Sequence, residues 1–499
     1  LRVRPNMLYR WMNYQQFVRS KQMRASNRTR LYSQYRQEQV QEKLSQLGIF
    51  SYLDMQYAPR DTTAACDTLD VTMQATFAKP LDAELELNVV TKSNDQTGPG
   101  ASFGVTRNNV FGGGESWNVK LKGSYEWQTG GGEKSSLMNS WEMGLSTSLT
   151  FPRVVFPHLG KREFDFPATT TFRLYINQLN RAKYYKLLSF GGNATYDFQP
   201  SRTSRHSITP FKLTFNVLQH QSEDFKEIAE ANPALYVSLR NQFIPAMEYT
   251  YTYDNASVRR IKNPIWWQST VTSAGNITSL IYRAFGKPFN EEDKSLLGAP
   301  FAQFVKLNTE LRHLWNIDKN NAIASRMAVG ALFTYGNATI APYSEQFYVG
   351  GANSIRAFTV RSVGPGGYHP EEGKYSYLDQ TGTFRFEANV EYRFRIFKSF
   401  WGATFLDAGN VWLLRKDRKL LADGTEARPN SQLRLKTFPK QIALGTGVGI
   451  RYDMDILVFR LDFGIPLHLP YDTDRSGYYN VTGAFLKNLG IHFAIGYPF

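Results

Sequence analysis

The chain has 499 residues, 58 of them basic and 43 acidic, for a formal charge of +15; 42% are hydrophobic and 14% aromatic. No run reaches the roughly 18 apolar residues of a membrane helix, and the single Cys66 excludes an intramolecular disulfide. The length exceeds an ordinary soluble domain but suits one large β body, because all-β barrels routinely run past that size.

Residues 1–80 differ in period from the rest. Leu1 follows no initiator methionine or signal peptide, so the segment is expected to be processed or truncated, and targeting is not readable from it. Asn6 is placed to cap a short helix through Trp11 and Phe17. Leu31, Tyr35, Val40, Leu44 and Leu47 then roughly follow one helical face that ends at Gly48. Strand-like runs at 52–57 and 68–75 are separated by the turn formers Pro59-Arg60-Asp61. This order, with Leu47-Gly48-Ile49-Phe50 between helix and strand, resembles a POTRA domain. The resemblance implies a periplasmic module, the last of a series, that binds client chains by adding a strand to a sheet edge. A small α/β cap with no client role is the alternative.

From residue 81 the period becomes two. Ala83, Leu85, Leu87 and Val89 alternate with Glu84, Glu86 and Asn88. Phe384, Phe386, Ala388, Val390, Tyr392, Phe394 and Ile396 alternate with Arg385, Glu387, Asn389, Glu391, Arg393 and Arg395. Soluble strands average about five or six residues, whereas a transmembrane strand needs roughly 9–11. These runs therefore predict a mainly β fold, an antiparallel transmembrane β-barrel of roughly sixteen strands over 81–499. Mildly polar average composition is compatible with this, because lipid-facing apolar residues alternate with lumen-facing polar ones. With the first strand running outward, the connections at 110–114, 316–321 and 453–455 fall inside and are short. Those at 220–240, 281–300, 335–374, 413–440 and 467–487 fall outside and are long, as in bacterial barrels. The inner connection at 152–167 is a long exception.

The positive charge is compatible with nucleic acid, anionic lipid headgroups or an acidic partner. Many arginines alternate with apolar residues inside strands, which directs them to a water-filled lumen. Lipid is the favoured partner despite that inward share, and nucleic acid is not an expected partner.

The sixth outer loop, about 335–376, contains Gly350-Gly351-Ala352-Asn353-Ser354-Ile355-Arg356-Ala357-Phe358 and then Gly364-Pro365-Gly366. A guanidinium delivered by small residues needs acceptors of matching geometry, most simply carboxylates. Glu391, of inward parity on the next strand, and Asp407, on the strand after it, are the candidates. The string resembles the sixth-loop motif of the outer-membrane assembly-factor superfamily of BamA, TamA and the two-partner-secretion transporters. That resemblance implies that Arg356 folds back into the barrel and pairs with Glu391 and Asp407. Gly350, Gly351, Asn353, Ile355, Phe358, Gly364 and Pro365 would shape the loop. A lumen ladder of arginines and acids is the competing account. Many members carry glycine after the arginine; Ala357 here allows less freedom at positive φ.

At the end of the chain, Asn488, Gly490, Phe493 and Ile495 resemble the terminal signal by which barrels are recognised, with the chain stopping at Phe499. Gly490, Gly496 and Pro498 weaken a strand's ladder. In the superfamily the last strand opens against the first, here near Leu85 and Leu87, as a lateral gate for incoming strands.

Enzyme signatures are wanting. Gly130-Gly131-Gly132-Glu133-Lys134-Ser135 interrupts the Gly-Lys pair of a phosphate loop. Gly445, Gly447 and Gly449 alternate within a strand and do not form a dinucleotide site. The seven histidines lack metal-ligand spacing. No catalytic residue, metal or cofactor is expected.

The resemblance implies an outer-membrane assembly or translocation factor of bacteria, closer to the TamA-like translocation and assembly module branch, including its lipoprotein form, with the POTRA-like unit in the periplasm. Its implied partners are outer-membrane lipids and lipopolysaccharide, unfolded outer-membrane or surface client proteins, and an accessory subunit that spans from the inner membrane or lies in the periplasm. A passive or ligand-gated porin and a two-partner-secretion exporter are the alternatives.

Overall fold

A computed structural model describes residues 3–4, 8, 34–61, 63, 69–91, 96–128, 140–156, 168–181, 185–223, 226, 241–256, 261–289, 294–296, 299–337, 341–370, 380–416, 426, 428–454, 457–475, 477–484 and 488–499. The helix expected over 6–17 falls almost entirely outside these residues. Helix α1 (Gln34–Gln46) precedes strands β1 (Phe50–Pro59) and β2 (Leu69–Phe77), which pair antiparallel. Val40 and Leu44, one turn apart on α1, are buried against Ile49, Phe50, Leu53 and Met55. Gln37 and Gln41 donate from Nε2 to the carbonyls of Met55 and Leu53, each at 2.8 Å, fastening the helix to β1. Gly48, at φ 65°, makes the left-handed turn that ends the helix.

The rest of the chain builds one sheet. In chain order its first nine strands are β3 (Leu81–Thr91), β4 (Gln96–Asn108), β5 (Ser116–Gln128), β6 (Ser140–Phe151), β7 (Ala168–Arg181), β8 (Tyr185–Phe198), β9 (Ser204–Gln221), β10 (Gln242–Asp254) and β11 (Ile265–Ala274). A connection follows that carries helix α2 (Asn276–Ala284) and the two-residue strands β12 (Ser295–Leu296) and β13 (Ala299–Pro300), which pair with each other. The sheet resumes with β14 (Phe304–Asn316), β15 (Asn321–Thr334), β16 (Phe384–Phe397), β17 (Phe400–Trp412), β18 (Ala443–Asp453), β19 (Val458–His468) and β20 (Gly490–Ile495). Every neighbour in this sixteen-stranded sheet is its neighbour in sequence, and every pair is antiparallel.

Strands of 10–14 residues dominate, with β9 at 18, long enough to cross a bilayer when tilted. The N-terminal unit marks one end of the sheet. Arg4 N–H donates to the Gly112 carbonyl at 2.8 Å, and Leu47 and Ile49 lie against Gly114 in the turn between β4 and β5. Connections at this near end are mostly short, such as 317–320 and 454–457, while those at the far end include 222–241, 335–383 and 413–442.

The two faces are chemically inverted relative to a water-soluble protein. On β16, Glu387, Asn389, Glu391 and Arg393 are buried while Val390 and Tyr392 are exposed. On β20, His492 is buried while Ile491, Phe493 and Ile495 are each more than half exposed. Large apolar side chains repeat this on the outer face of strand after strand, among them Leu85, Leu174 and Val448. Polar inside and apolar outside is the arrangement that an apolar solvent requires.

Among the described residues, no hydrogen-bonded ladder closes the expected barrel. Strands β3 and β20 stand at the two ends of the strand order. The last strand is also short, six residues against eleven in β3. Gly496, at φ 88°, ends it.

Candidate functional site

The far-end connection between β15 and β16 does not stay outside. Its segment 349–363 folds back as a tight hairpin on the inner face of the sheet. Val349, Ile355 and Val363 are essentially inaccessible, and they share a core with Phe347, Ala357, Phe358, Leu332, Val411 and Ala443. Gly351 N–H donates to the Phe358 carbonyl at 2.8 Å and Arg361 N–H to the Val349 carbonyl at 3.0 Å, closing the hairpin. Gly350 has φ 102°, and a Cβ there would lie 2.1 Å from the Thr359 carbonyl oxygen, so no other residue fits between the limbs.

Arg356 sits at the tip with no exposed surface. Its Nε donates to Asp407 Oδ2 at 2.8 Å, its Nη2 to Asp407 Oδ1 at 2.9 Å and its backbone N–H to Asp407 Oδ2 at 3.1 Å. This is fork-on-carboxylate pairing, the geometry for which arginine and not lysine is suited. Its Nη1 donates to Glu391 Oε2. The guanidinium carbon lies 3.5 Å from the centre of the Phe405 ring, which supplies a cation–π face. Structure therefore brings Arg356, Glu391 and Asp407 together.

Further charges join them. Glu391 accepts from Arg393 Nε at 2.8 Å and Arg451 Nη2 at 3.0 Å, Arg451 pairs with Asp462 at 2.6 Å, and Arg460 lies 3.5 Å from Asp462. Asn389 donates to both Asp407 Oδ1, at 2.9 Å, and the Ser354 carbonyl, at 2.8 Å. Ser354 donates to Glu387 Oε2 at 2.6 Å. Sequence reasoning singled out none of Asn389, Arg451, Arg460 and Asp462 for this site. Their inward parity beside Glu391 and on β18 and β19 was the available signal.

The loop tip rests on glycines. Antiparallel register places Gly445 beside Asp407 and Gly447 beside Phe405. A Cβ on Gly445 would come within 2.3 Å of Ala357 Cβ, one on Gly447 within 2.4 Å of the Phe405 ring, and one on Gly464 within 2.8 Å of the Arg356 carbonyl oxygen. The alternating glycines of β18 thus form a flat bed on which tip and ring both lie. Ala357 is not at positive φ, so the conformational freedom expected to matter there does not; its methyl group instead occupies the space that Gly445 leaves.

The last strand meets the same tip. His492 Nε2 lies 2.6 Å from the Arg356 carbonyl oxygen; a carbonyl can only accept, so the ring nitrogen donates. Gly490 passes beside that carbonyl. Arg393 reaches the chain end, with Nη2 3.4 Å from the Phe499 carbonyl oxygen and its guanidinium 4.2 Å from the Tyr497 ring.

The other expected site residues distribute as follows. Asn353 accepts from Arg460 Nη2 at 2.7 Å, and Ile355 and Phe358 enter the core. Gly364 and Pro365 lie buried beside β17, where Gly366 N–H donates to the Val411 carbonyl at 2.6 Å. Phe493 and Ile495 face outward, away from the tip, and Asn488 instead closes a turn with the Thr482 carbonyl at 2.9 Å. Leu85 and Leu87 lie exposed on β3, at the opposite end of the strand order.

A sixteen-stranded antiparallel sheet with an apolar outer face, a charged inner face and a loop pinned inside by one arginine has the arrangement of the transmembrane β-barrel class. The Omp85 superfamily domain matches residues 109–499, and the chain belongs to that superfamily. Among solved structures, BamA from Haemophilus ducreyi lacking POTRA domains 1–3 is similar at 13% identity and a TM-score of 0.62, over 99% of this chain and 81% of that one. CdiB from Acinetobacter baumannii is similar at 12% identity and a TM-score of 0.50, over 99% of this chain and 72% of that one. At these identities the likeness is one of fold.

Proposed function

We propose that this chain inserts or exports client proteins at the bacterial outer membrane through the seam between β3 and β20. The observation that carries the proposal is the attachment of the loop tip to the last strand. Arg356 binds β16 and β17 through its guanidinium and β20 through its carbonyl, so the loop and the last strand hold each other. The β3 edge, unpaired among the described residues, offers backbone donors and acceptors to an incoming strand. In a bilayer, pairing there satisfies client backbone groups that would otherwise stay unbonded, which drives insertion without a nucleotide. Residues 1–80 act as the POTRA-like periplasmic unit, with the β1–β2 ladder presenting an edge to clients. The 352–356 and 364–366 strings favour the TamA-like branch within the superfamily. Client chains, outer-membrane lipids including lipopolysaccharide, and an accessory subunit are its partners under this reading.

Depleting the protein and quantifying the outer-membrane proteome, alongside whole-cell permeability to small solutes, tests the proposal. Selective loss of barrel or surface proteins is expected. An intact proteome with reduced solute uptake would replace this reading with a porin.

A further inference from the structure

Helix α2 is amphipathic in the wrong sense for water. Its buried residues are the polar Thr278 and Ser279, and Ser279 Oγ donates to Gln303 Oε1 at 2.9 Å. The opposite face, Ile277, Leu280, Ile281 and then Phe285, is exposed, with Phe285 at 83%. Spacing at i, i+3, i+4 and i+8 places these four on one stripe. A helix that turns its polar side to the protein and an unbroken apolar stripe outward is matched to an apolar surrounding.

Its position supplies the surrounding. β11 runs away from the N-terminal unit, so α2 begins at the far, external end, directly after Ala274. The helix is then folded over the rim onto the outer wall by a row of aromatic rings. Phe190, Phe215 and Phe243 are register partners on β8, β9 and β10, and Phe190 belongs to the exposed outer face. Their centroids lie 5.2 and 6.0 Å apart. Phe301 packs on Phe243, and Tyr282 of α2 packs on Phe301 at 6.1 Å. A row of packed rings therefore connects the outer wall to the helix. Arg283, in the last turn, and Lys287, just beyond it, add positive charge beside the apolar stripe.

We propose that α2 is an interfacial anchor, with the Ile277–Leu280–Ile281–Phe285 stripe seated at the acyl-to-headgroup boundary of the outer leaflet and Arg283 and Lys287 against phosphate-bearing headgroups. Such an anchor fixes the rim of the wall where β10, β11 and β14 emerge. The inference rests on superfamily membership and the direction of the strands, and not on the assembly reading.

The test labels Phe285→Cys, in a Cys66→Ser background, with an environment-sensitive fluorophore after reconstitution of the full chain into phosphatidylcholine–phosphatidylglycerol vesicles. Two control proteins carry the label at Leu174→Cys on the outer wall and at Lys319→Cys in a near-end turn. The expected result is a blue-shifted emission at position 285, and quenching by brominated acyl chains at least about threefold stronger than at position 319, since the stripe lies several ångströms into the boundary. Iodide-accessible emission at 285, with 174 still quenched by lipid, overturns the anchor while leaving the membrane barrel intact. Protection at 285 that grows with protein density, in place of lipid quenching, assigns the face to a second copy and also overturns it. Replacing Leu280→Asp together with Ile281→Asp should abolish the lipid quenching at 285 and leave that at 174 unchanged; unchanged quenching at 285 contradicts the stripe's role.

Discussion

Arg356→Ala is the most informative single change, because its cost is set by what it leaves behind. Glu391 would retain Arg393 at 2.8 Å and Arg451 at 3.0 Å. Asp407 would lose the two guanidinium donors at 2.8 and 2.9 Å, and would keep the backbone N–H of residue 356 at 3.1 Å and the Asn389 amide at 2.9 Å. Removing one partner of a fully buried ion pair costs about 3–5 kcal/mol, most of it from the stranded charge. Because the sheet's own ladders are untouched, the loss should fall on docking of the hairpin 349–363. Hydrogen exchange of the Gly351 and Arg361 amides, which close that hairpin, is the assay. At about 1.4 kcal/mol per tenfold, exchange should quicken by roughly two to nearly four orders of magnitude. Adding Asp407→Asn removes the stranded charge and should return about 2 kcal/mol or more of the loss, a coupling typical of close charge pairs. An acceleration below about tenfold, or no coupling in the double variant, would show that the ion pair does not hold the loop.

Other perturbations separate the parts of the site. Gly464→Val places a side chain against the Arg356 carbonyl, where even a Cβ would come within 2.8 Å; it should release the loop by about 1–3 kcal/mol while circular dichroism of the sheet is unchanged. His492→Leu leaves the buried Arg356 carbonyl without the ring donor, at a cost of about 1–3 kcal/mol, so exchange should rise together in the loop tip and in β20; a rise in only one would uncouple them. In the near-end turn, the Asn320 backbone N–H, at 2.7 Å, and the Asn321 amide lower the Asp318 carboxyl below its ordinary range. A depressed folded value means that this contribution is present above the ordinary carboxylate range and is lost as pH falls through the lowered value. Protection of the Asn320 amide should follow that course, and Asp318→Ala should remove both the protection and its pH dependence.

Strand number and facing were legible in the sequence because a strand's side chains alternate strictly and each of these strands is long. Small residues around Arg356 single it out in its loop, while its return into the barrel was implied by the family resemblance and not by spacing. Much of its setting was not legible. That Gly445, Gly447 and Gly464 form a bed depends on sheet curvature and on where the hairpin lands, and neither is encoded in the local period of β18 or β19. The same holds for His492, 136 residues from the carbonyl it binds. Alternation along β20 opposes His492 to Ile491 and Phe493, but only the folded loop gives it a partner. At Ala357 the sequence suggested a backbone effect, whereas the structure shows a side-chain fit. The stripe on α2 follows a helical period, yet which of its faces meets protein depends on Phe301 and Gln303, which come after it in the chain.

The seam is the centre of this account, and a reversible tether across it tests it most directly. Cysteines at Leu85 and Phe493, in the Cys66→Ser background, would be linked by a thiol-reactive crosslinker with a reducible spacer, tethering β3 to β20. Client insertion into vesicles reconstituted with the protein should stop when the tether is complete and resume on reduction. Full insertion with the tether quantitatively formed would contradict passage through this seam.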